Sequence, residues 1–152
     1  MSIVARLEEH ALEPEKELAA LILQARGDGA VVSFVGLARQ ESKAGQSVER
    51  LVLQHHPILT QQSLQQITVA AAERFDVSHV RVAHRCGEIP AGAPIVFAGA
   101  AARHRRAAFE AADYLMDRLK TDAVFWKREV GDAGAGWVEP TEADFADRDR
   151  WG

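Results

Sequence analysis

Between Arg103 and Lys120 the chain carries its most restrictive pattern: Ala108, Ala112, Leu115 and Leu119 recur every three or four residues, and Phe109 and Met116 widen the same stripe. That spacing lines one face of an α-helix with apolar side chains. Such a face has to be buried against another element, and the rest of the sequence supplies strands. Ala30–Leu37, His79–His84 and Ile95–Ala101 are short β-branched or apolar runs, and Val48–Gln54 alternates. Val124–Glu129 and Trp137–Glu139 flank the glycine-rich stretch 131–136, which predicts a hairpin. A second amphipathic helix is expected over Gln61–Arg74 from Leu64, Ile67, Ala71 and Phe75, with Thr60 as its N-cap. Leu18–Gln24 reads as a short helix stopped by Gly27-Asp28-Gly29, Arg39–Gln46 as a loop and Gly87–Gly92 as a turn region. Helices and strands alternate without a strict βαβ order, so the expected architecture is α+β with a mixed, mostly antiparallel sheet.

Size and composition narrow the function. A chain of 152 residues suits a single domain, 1–152, with a substantial core. Its net charge of −4 provides no basic field for nucleic acid, and no nucleic-acid partner is expected. The lone Cys86 permits no disulfide within the chain and fits a reducing compartment. No apolar run approaches the roughly 20 residues of a membrane span, and residues 1–17 show no signal-peptide core. A cytoplasmic protein without membrane contact is the expectation. The tail from Thr141 is charged and is expected to be loosely held.

Basic residues are concentrated locally. Arg103-His104-Arg105-Arg106 open the strongest helix, where the dipole favours anions. Two readings stand side by side: a solvated turn, or an anion site in which backbone N–H groups and arginines converge on a phosphate or carboxylate. Lys120 closes that helix and Lys127 follows in the next strand, within Phe125-Trp126-Lys127-Arg128-Glu129. Two aromatics beside a basic pair make a plausible half-buried wall, and burial among cations lowers a lysine's pKa into a chemically useful range. Arg39 ends a strand after Gly36, a position where binding residues are common. His55-His56 and the alternating His84, Cys86 and Glu88 lack a second cluster at metal-ligand spacing, so no metal is expected. Nothing in the sequence activates Cys86 as a nucleophile.

Taken in order, these segments resemble the large-subunit family of molybdopterin synthase. Asp28-Gly29-Ala30-Val31-Val32-Ser33-Phe34 with Gly36 and Arg39, Leu53–Pro57, Gly87-Glu88 with Ile95-Val96-Phe97, and His104-Arg105 with Ala108–Ala111 match its signature segments. Leu119-Lys120-Thr121, Phe125–Glu129 and Trp137–Glu139 complete the match, which spans about 28–139. The resemblance implies an α/β-hammerhead fold and a homodimer that forms the core of a heterotetramer. Each large subunit then binds a small ubiquitin-like sulfur carrier whose C-terminal glycine is thiocarboxylated. The implied reaction transfers sulfur to cyclic pyranopterin monophosphate to form the molybdopterin dithiolene, with no cofactor and no metal. Lys120 and Lys127 are the implied catalytic residues. Arg39, His104, Arg105, Arg128, Glu129 and Phe34 are the implied substrate-binding residues, with His104 and Arg105 serving the pocket of the opposite subunit. His56, where the family usually has tyrosine, and Pro140-Thr141, where some members carry an arginine, depart from the pattern. A homologue that binds the carrier or a small anion without turnover is the alternative expectation.

Overall fold

The computed structural model describes residues 1–152. Its elements are β1 (Ser2–Glu8), α1 (Pro14–Gln24), β2 (Ala30–Leu37), β3 (Arg50–His55), α2 (Leu59–Arg74), β4 (His79–Arg85), β5 (Gly87–Pro90), β6 (Pro94–Ala102), α3 (Arg105–Asp122), β7 (Phe125–Gly131), β8 (Gly134–Val138) and α4 (Glu142–Asp149). The strands form two four-stranded sheets, ordered β1-β4-β6-β2 and β5-β3-β7-β8. Only β1 and β4 run parallel; every other ladder is antiparallel. This is the mixed, mostly antiparallel α+β architecture expected from the sequence.

The first sheet is buried on both faces along β6. Val96, Ala98, Ala100 and Ala102 pack beneath Leu64, Ile67 and Ala71 of α2 and Ala108, Ala111, Leu115 and Leu119 of α3. On the other face Phe97 and Ala101 meet Leu12, Leu21 and Ala25 in and around α1. Burial on both sides explains why β6 reads as a continuous apolar run and not as an alternation. The second sheet has a smaller core of its own, Ala38, Leu51, Leu53 and Ile89, with Phe125 against it.

Topology positions the functional end. β6 stops at Ala102, and only Arg103 and His104 separate it from α3. So tight a link sends α3 back antiparallel to β6, hence parallel to its other neighbour β2. The C-terminal end of α3 therefore arrives beside the residues that follow β2, and only Ala123 and Val124 separate α3 from β7.

Several local expectations are corrected. Gly87–Pro90 is a strand paired with β3, because Gly87 takes φ +85° and redirects the chain without ending its extended run. Thr60 lies inside α2; its hydroxyl donates to the Val124 carbonyl and accepts from His56 N–H. The role assigned to it falls to His56, whose Nδ1 accepts from Ile58 N–H at 3.1 Å and Leu59 N–H at 3.0 Å. α1 begins at Pro14, a favoured first-turn residue, four positions before the expected start. The tail is not loosely held: Thr141 and Asp144 form a capping box that starts α4, and Trp151 packs edge-on against Phe75 and Tyr114.

Candidate functional site

Strand alternation sorts the residues of β7. Leu51 pairs with Glu129, Leu53 with Lys127 and His55 with Phe125. Paired residues of an antiparallel ladder point to one face. Leu51 and Leu53 are buried, so Phe125, Lys127 and Glu129 face inward. Trp126 and Arg128 face outward, where Arg128 lies 5.9 Å from the Trp137 ring centre and Trp126 is half exposed. Of the two aromatics expected to wall the site, only Phe125 does so. Likewise Glu129 and Arg128, though adjacent in sequence, occupy opposite faces of the sheet.

Lys127 is the electrostatic centre of the inward face. Burial first, then the positive charges of Lys120 and Arg39, push its pKa down to about 8, while Glu129 and Asp144 oppose the shift. Lys120 itself is exposed in the last turn of α3, with Leu119 beneath it in the core. The two lysines, on different elements, thus act on one neighbourhood. Arg39 joins them after the buried Ala38, whose N–H donates to the Ala93 carbonyl at 2.8 Å. Its guanidinium grips Glu129 with two bonds, Nε to Oε2 at 2.8 Å and Nη2 to Oε1 at 3.2 Å. An anion that binds Arg39 must share it with Glu129 or displace that carboxylate.

Two further residues belong to this neighbourhood, a placement that the sequence alone does not give. His84 is buried and stacks on Phe125 with ring centres 4.3 Å apart. Burial, followed by Lys127 and Lys120, lowers its pKa to about 4, although a bond to the Arg85 carbonyl works the other way. His84 is therefore neutral at pH 7 and adds no charge to the lysine pair. Asp144 comes from the supposedly loose tail. Burial would raise its pKa, but bonds from Thr141 and the charges of Lys120 and Lys43 hold it below the usual carboxylate range. Neither residue's place beside Lys127 is written in the sequence, because both are brought in by long-range packing.

A cavity of about 340 Å³ opens beside Arg39 and Glu129, between the 42–48 loop and the β7–β8 hairpin. Trp137, Val138 and Glu139 line its far side, while Lys120 and Lys127 are not among its walls. Gly131 allows the close approach there, since a side chain at that position would run into the Ser47 carbonyl.

The remaining expected residues sit elsewhere. Arg105 opens α3 and His104 is its N-cap residue, both exposed, and no acidic residue occupies the first turn. Fifteen positions of helix separate Arg105 from Lys120, about 22 Å at the usual rise. One chain therefore does not bring the basic N-terminus of α3 to the lysine pair. Phe34 lies on β2, an edge strand of the first sheet, and is 44% exposed. Cys86 is buried; burial, then Glu9 and Glu8, push its thiol pKa up, against Arg85, so it is not a thiolate nucleophile at neutral pH.

Comparison with known proteins bears on this arrangement. The profile of the MoaE protein family matches residues 7–122, starting within β1 and including Lys120. The chain is 42% identical over 149 residues to the molybdopterin synthase catalytic subunit of Caulobacter vibrioides, covering 98% of this chain and 97% of that one. It is also 42% identical to the subunit of the same name from Pseudomonas aeruginosa, over 96% of this chain and 97% of that one. Among solved structures, the molybdopterin biosynthesis MoaE protein of Burkholderia ambifaria superposes with a TM-score of 0.82 at 33% identity, covering 100% of this chain and 99% of that chain. No helix is long and apolar enough to cross a membrane. With a family profile over three quarters of its length and relatives matched nearly end to end, the chain belongs to the MoaE protein family.

Proposed function

We propose that this chain is the catalytic subunit of a cytoplasmic molybdopterin synthase and that Lys127, seated between Lys120 and Arg39, is the centre of its sulfur-transfer site. The observation that carries the reading is the half-buried lysine with a pKa near 8 facing two further cations. The names of near-full-length relatives supply the reaction. A catalytic subunit implies a companion subunit, and the donor is a small ubiquitin-like carrier with a thiocarboxylated C-terminal glycine. The acceptor is cyclic pyranopterin monophosphate.

Both reactants are anions, and the site is built from cations. Lys120, exposed at its edge, attracts and orients the thiocarboxylate. Lys127 is desolvated, so its charge acts strongly on negative charge that develops as sulfur leaves the carrier. Its lowered pKa also lets it give up and recover a proton near neutral pH, the property needed of a group that moves protons during opening of the cyclic phosphate. Glu129 orients Arg39, and Arg39 offers the planar fork suited to phosphate oxygens.

The reading includes a homodimer. In the first sheet the edge strand β2 exposes Phe34, Val35 and Leu37, an unpaired apolar edge of the kind that proteins ordinarily cover. Pairing of two copies lets His104 and Arg105 of the partner subunit reach a pocket that their own chain cannot supply. Arg128, on the outward face of β7, is then a contact for the carrier or the second copy more than for the pterin.

The test is reconstitution of the chain with thiocarboxylated carrier and the cyclic precursor, with the dithiolene product as readout. Product should form with the wild type. Lys120→Ala and Lys127→Ala should each reduce turnover by about a hundredfold or more, the scale of losing one positioned electrostatic contact to the transition state, while the melting temperature stays close to wild type. Wild type that binds the carrier without forming product would favour the non-catalytic alternative. Normal turnover in both variants would remove the lysines from the chemistry.

A further inference from the structure

We propose that Glu9, His55 and Cys86 form a binding site for a borderline-soft divalent transition ion, with Zn²⁺ as the natural occupant. The Cys86 sulfur, a His55 ring nitrogen and a Glu9 carboxylate oxygen lie within 4.8 Å of one another. In a tetrahedral zinc shell such atoms stand ~3.5 Å apart, so closure requires shifts of about an ångström in side chains alone. The three residues are 46 and 31 positions apart in sequence, which is why no motif betrays them.

Backbone pairing sets the convergence. Cys86 N–H donates to the Glu8 carbonyl at 2.9 Å, which holds the end of β1 beside the thiol. Cys86 also stands at the handover from β4 in the first sheet to β5 in the second, and Gly87 pairs with Leu53, two residues before His55. His55 is fixed in turn by its register against Phe125. The neighbours of the proposed ligands are already engaged. Glu8 accepts from Arg6 and from His10 N–H, and the His56 ring accepts from Ile58 and Leu59. Glu9 and His55 are left to a ligand from outside.

The donor set selects the class of ion. One sulfur, one imidazole nitrogen and one carboxylate suit Zn²⁺, or Co²⁺ as its spectroscopic stand-in. Mg²⁺ and Ca²⁺ prefer oxygen alone. Exposure grades from the buried Cys86 through the half-buried His55 to the exposed Glu9, so the ion enters from solvent past the carboxylate. Bound there, it would tie the end of β1 and the end of β3 to the β4–β5 handover, joining the two sheets. No step of the sulfur transfer passes through it.

The test uses the full-length chain freed of metal and titrated with Co²⁺, then with Zn²⁺. One Co²⁺ per chain should bind with a thiolate-to-cobalt charge-transfer band in the near ultraviolet, Zn²⁺ should displace it, and the melting temperature should rise. Cys86→Ala should abolish the band. Glu9→Gln, a change on the surface that leaves the fold intact, should weaken Zn²⁺ binding by about tenfold or more, since even lost outer contacts of a metal site have effects of that size. A folded wild type that shows no thiolate band overturns the proposal. So does an affinity that Glu9→Gln and His55→Gln leave unchanged, because the ion is then held elsewhere, at His10 or His104 for example.

Discussion

Lys127 shows how one side chain acquires its chemistry from register. Its partner on β3, Leu53, is fully buried, and that pairing carries the ammonium inward. Its titration is the residue-scale prediction. Followed by NMR at the side-chain carbon or nitrogen, Lys127 should show a midpoint near 8, well below the ordinary lysine value of 10.5. Lys120→Met should raise that midpoint by removing a like charge, and Glu129→Gln should lower it by removing the opposing one. A midpoint near 10.5 would mean that the amine is solvated. Linkage gives a second readout. Between about pH 8 and 10.5 the folded state binds fewer protons at this site than the unfolded state, so the contribution of Lys127 to stability rises with pH across that window. Lys127→Met should flatten that rise. The sequence marks both lysines through their aromatic and basic neighbours. It cannot say that Phe125 faces in and Trp126 out, or that Arg128 and Glu129 part company, because those facts depend on which residue of β3 each one meets. The positions of His84 and Asp144 beside Lys127 are hidden from the sequence for the same reason.

At the scale of elements, periodicity reveals those that repeat strongly and hides those that depend on a partner. α2, α3, β2, β4 and β6 are legible because one or both of their faces are continuous in the sequence. β1 is not. It alternates, with Ile3, Ala5 and Leu7 against the core, but Arg6 and Glu8 on the other side leave it without a continuous apolar run. The fold accommodates that charge through Glu17 of α1, a buried carboxylate bonded to Arg6 and, at 2.6 Å, to Arg81 of β4. Burial works to raise its pKa, but the two arginines prevail and hold it below the usual carboxylate value. Glu17→Ala would leave Arg81 largely buried without its partner, and a loss of about 3 kcal/mol by urea or thermal unfolding is expected. The sign with pH follows from the depressed pKa. The stabilisation is complete above the ordinary glutamate value of 4.5 and is lost as pH falls through the lower folded value. In Glu17→Ala the stability should therefore depend less on pH in acid than in wild type. Equal acid sensitivity in the two proteins would assign the dependence to other carboxylates. α4 teaches a related lesson: its capping box, Thr141 to Asp144, is written in the sequence, but what keeps the short helix in place is Trp151 reaching Phe75 and Tyr114.

For the whole molecule, α3 poses the central question. Its C-terminal end carries Lys120, whose charge is felt by Lys127, and its N-terminal end carries His104 and Arg105 about 22 Å away along the same helix. A phosphate-binding role for both ends in one pocket requires two copies of the chain. The exposed apolar edge of β2 offers a surface for that second copy, and light scattering at micromolar concentration should report a dimer in the absence of carrier. The most direct measurement mixes two inactive proteins. Lys127→Ala and Arg105→Ala homodimers are each dissociated, recombined into mixed dimers, purified and supplied with thiocarboxylated carrier and precursor. If a pocket takes Lys127 from one chain and Arg105 from the other, every mixed dimer holds one pocket with both residues intact. Product formation should then return to about half the wild-type rate per dimer, well above either parent. Mixed dimers as inactive as their parents would contradict the account, because the two residues would then have to act within the same chain or not in the same reaction.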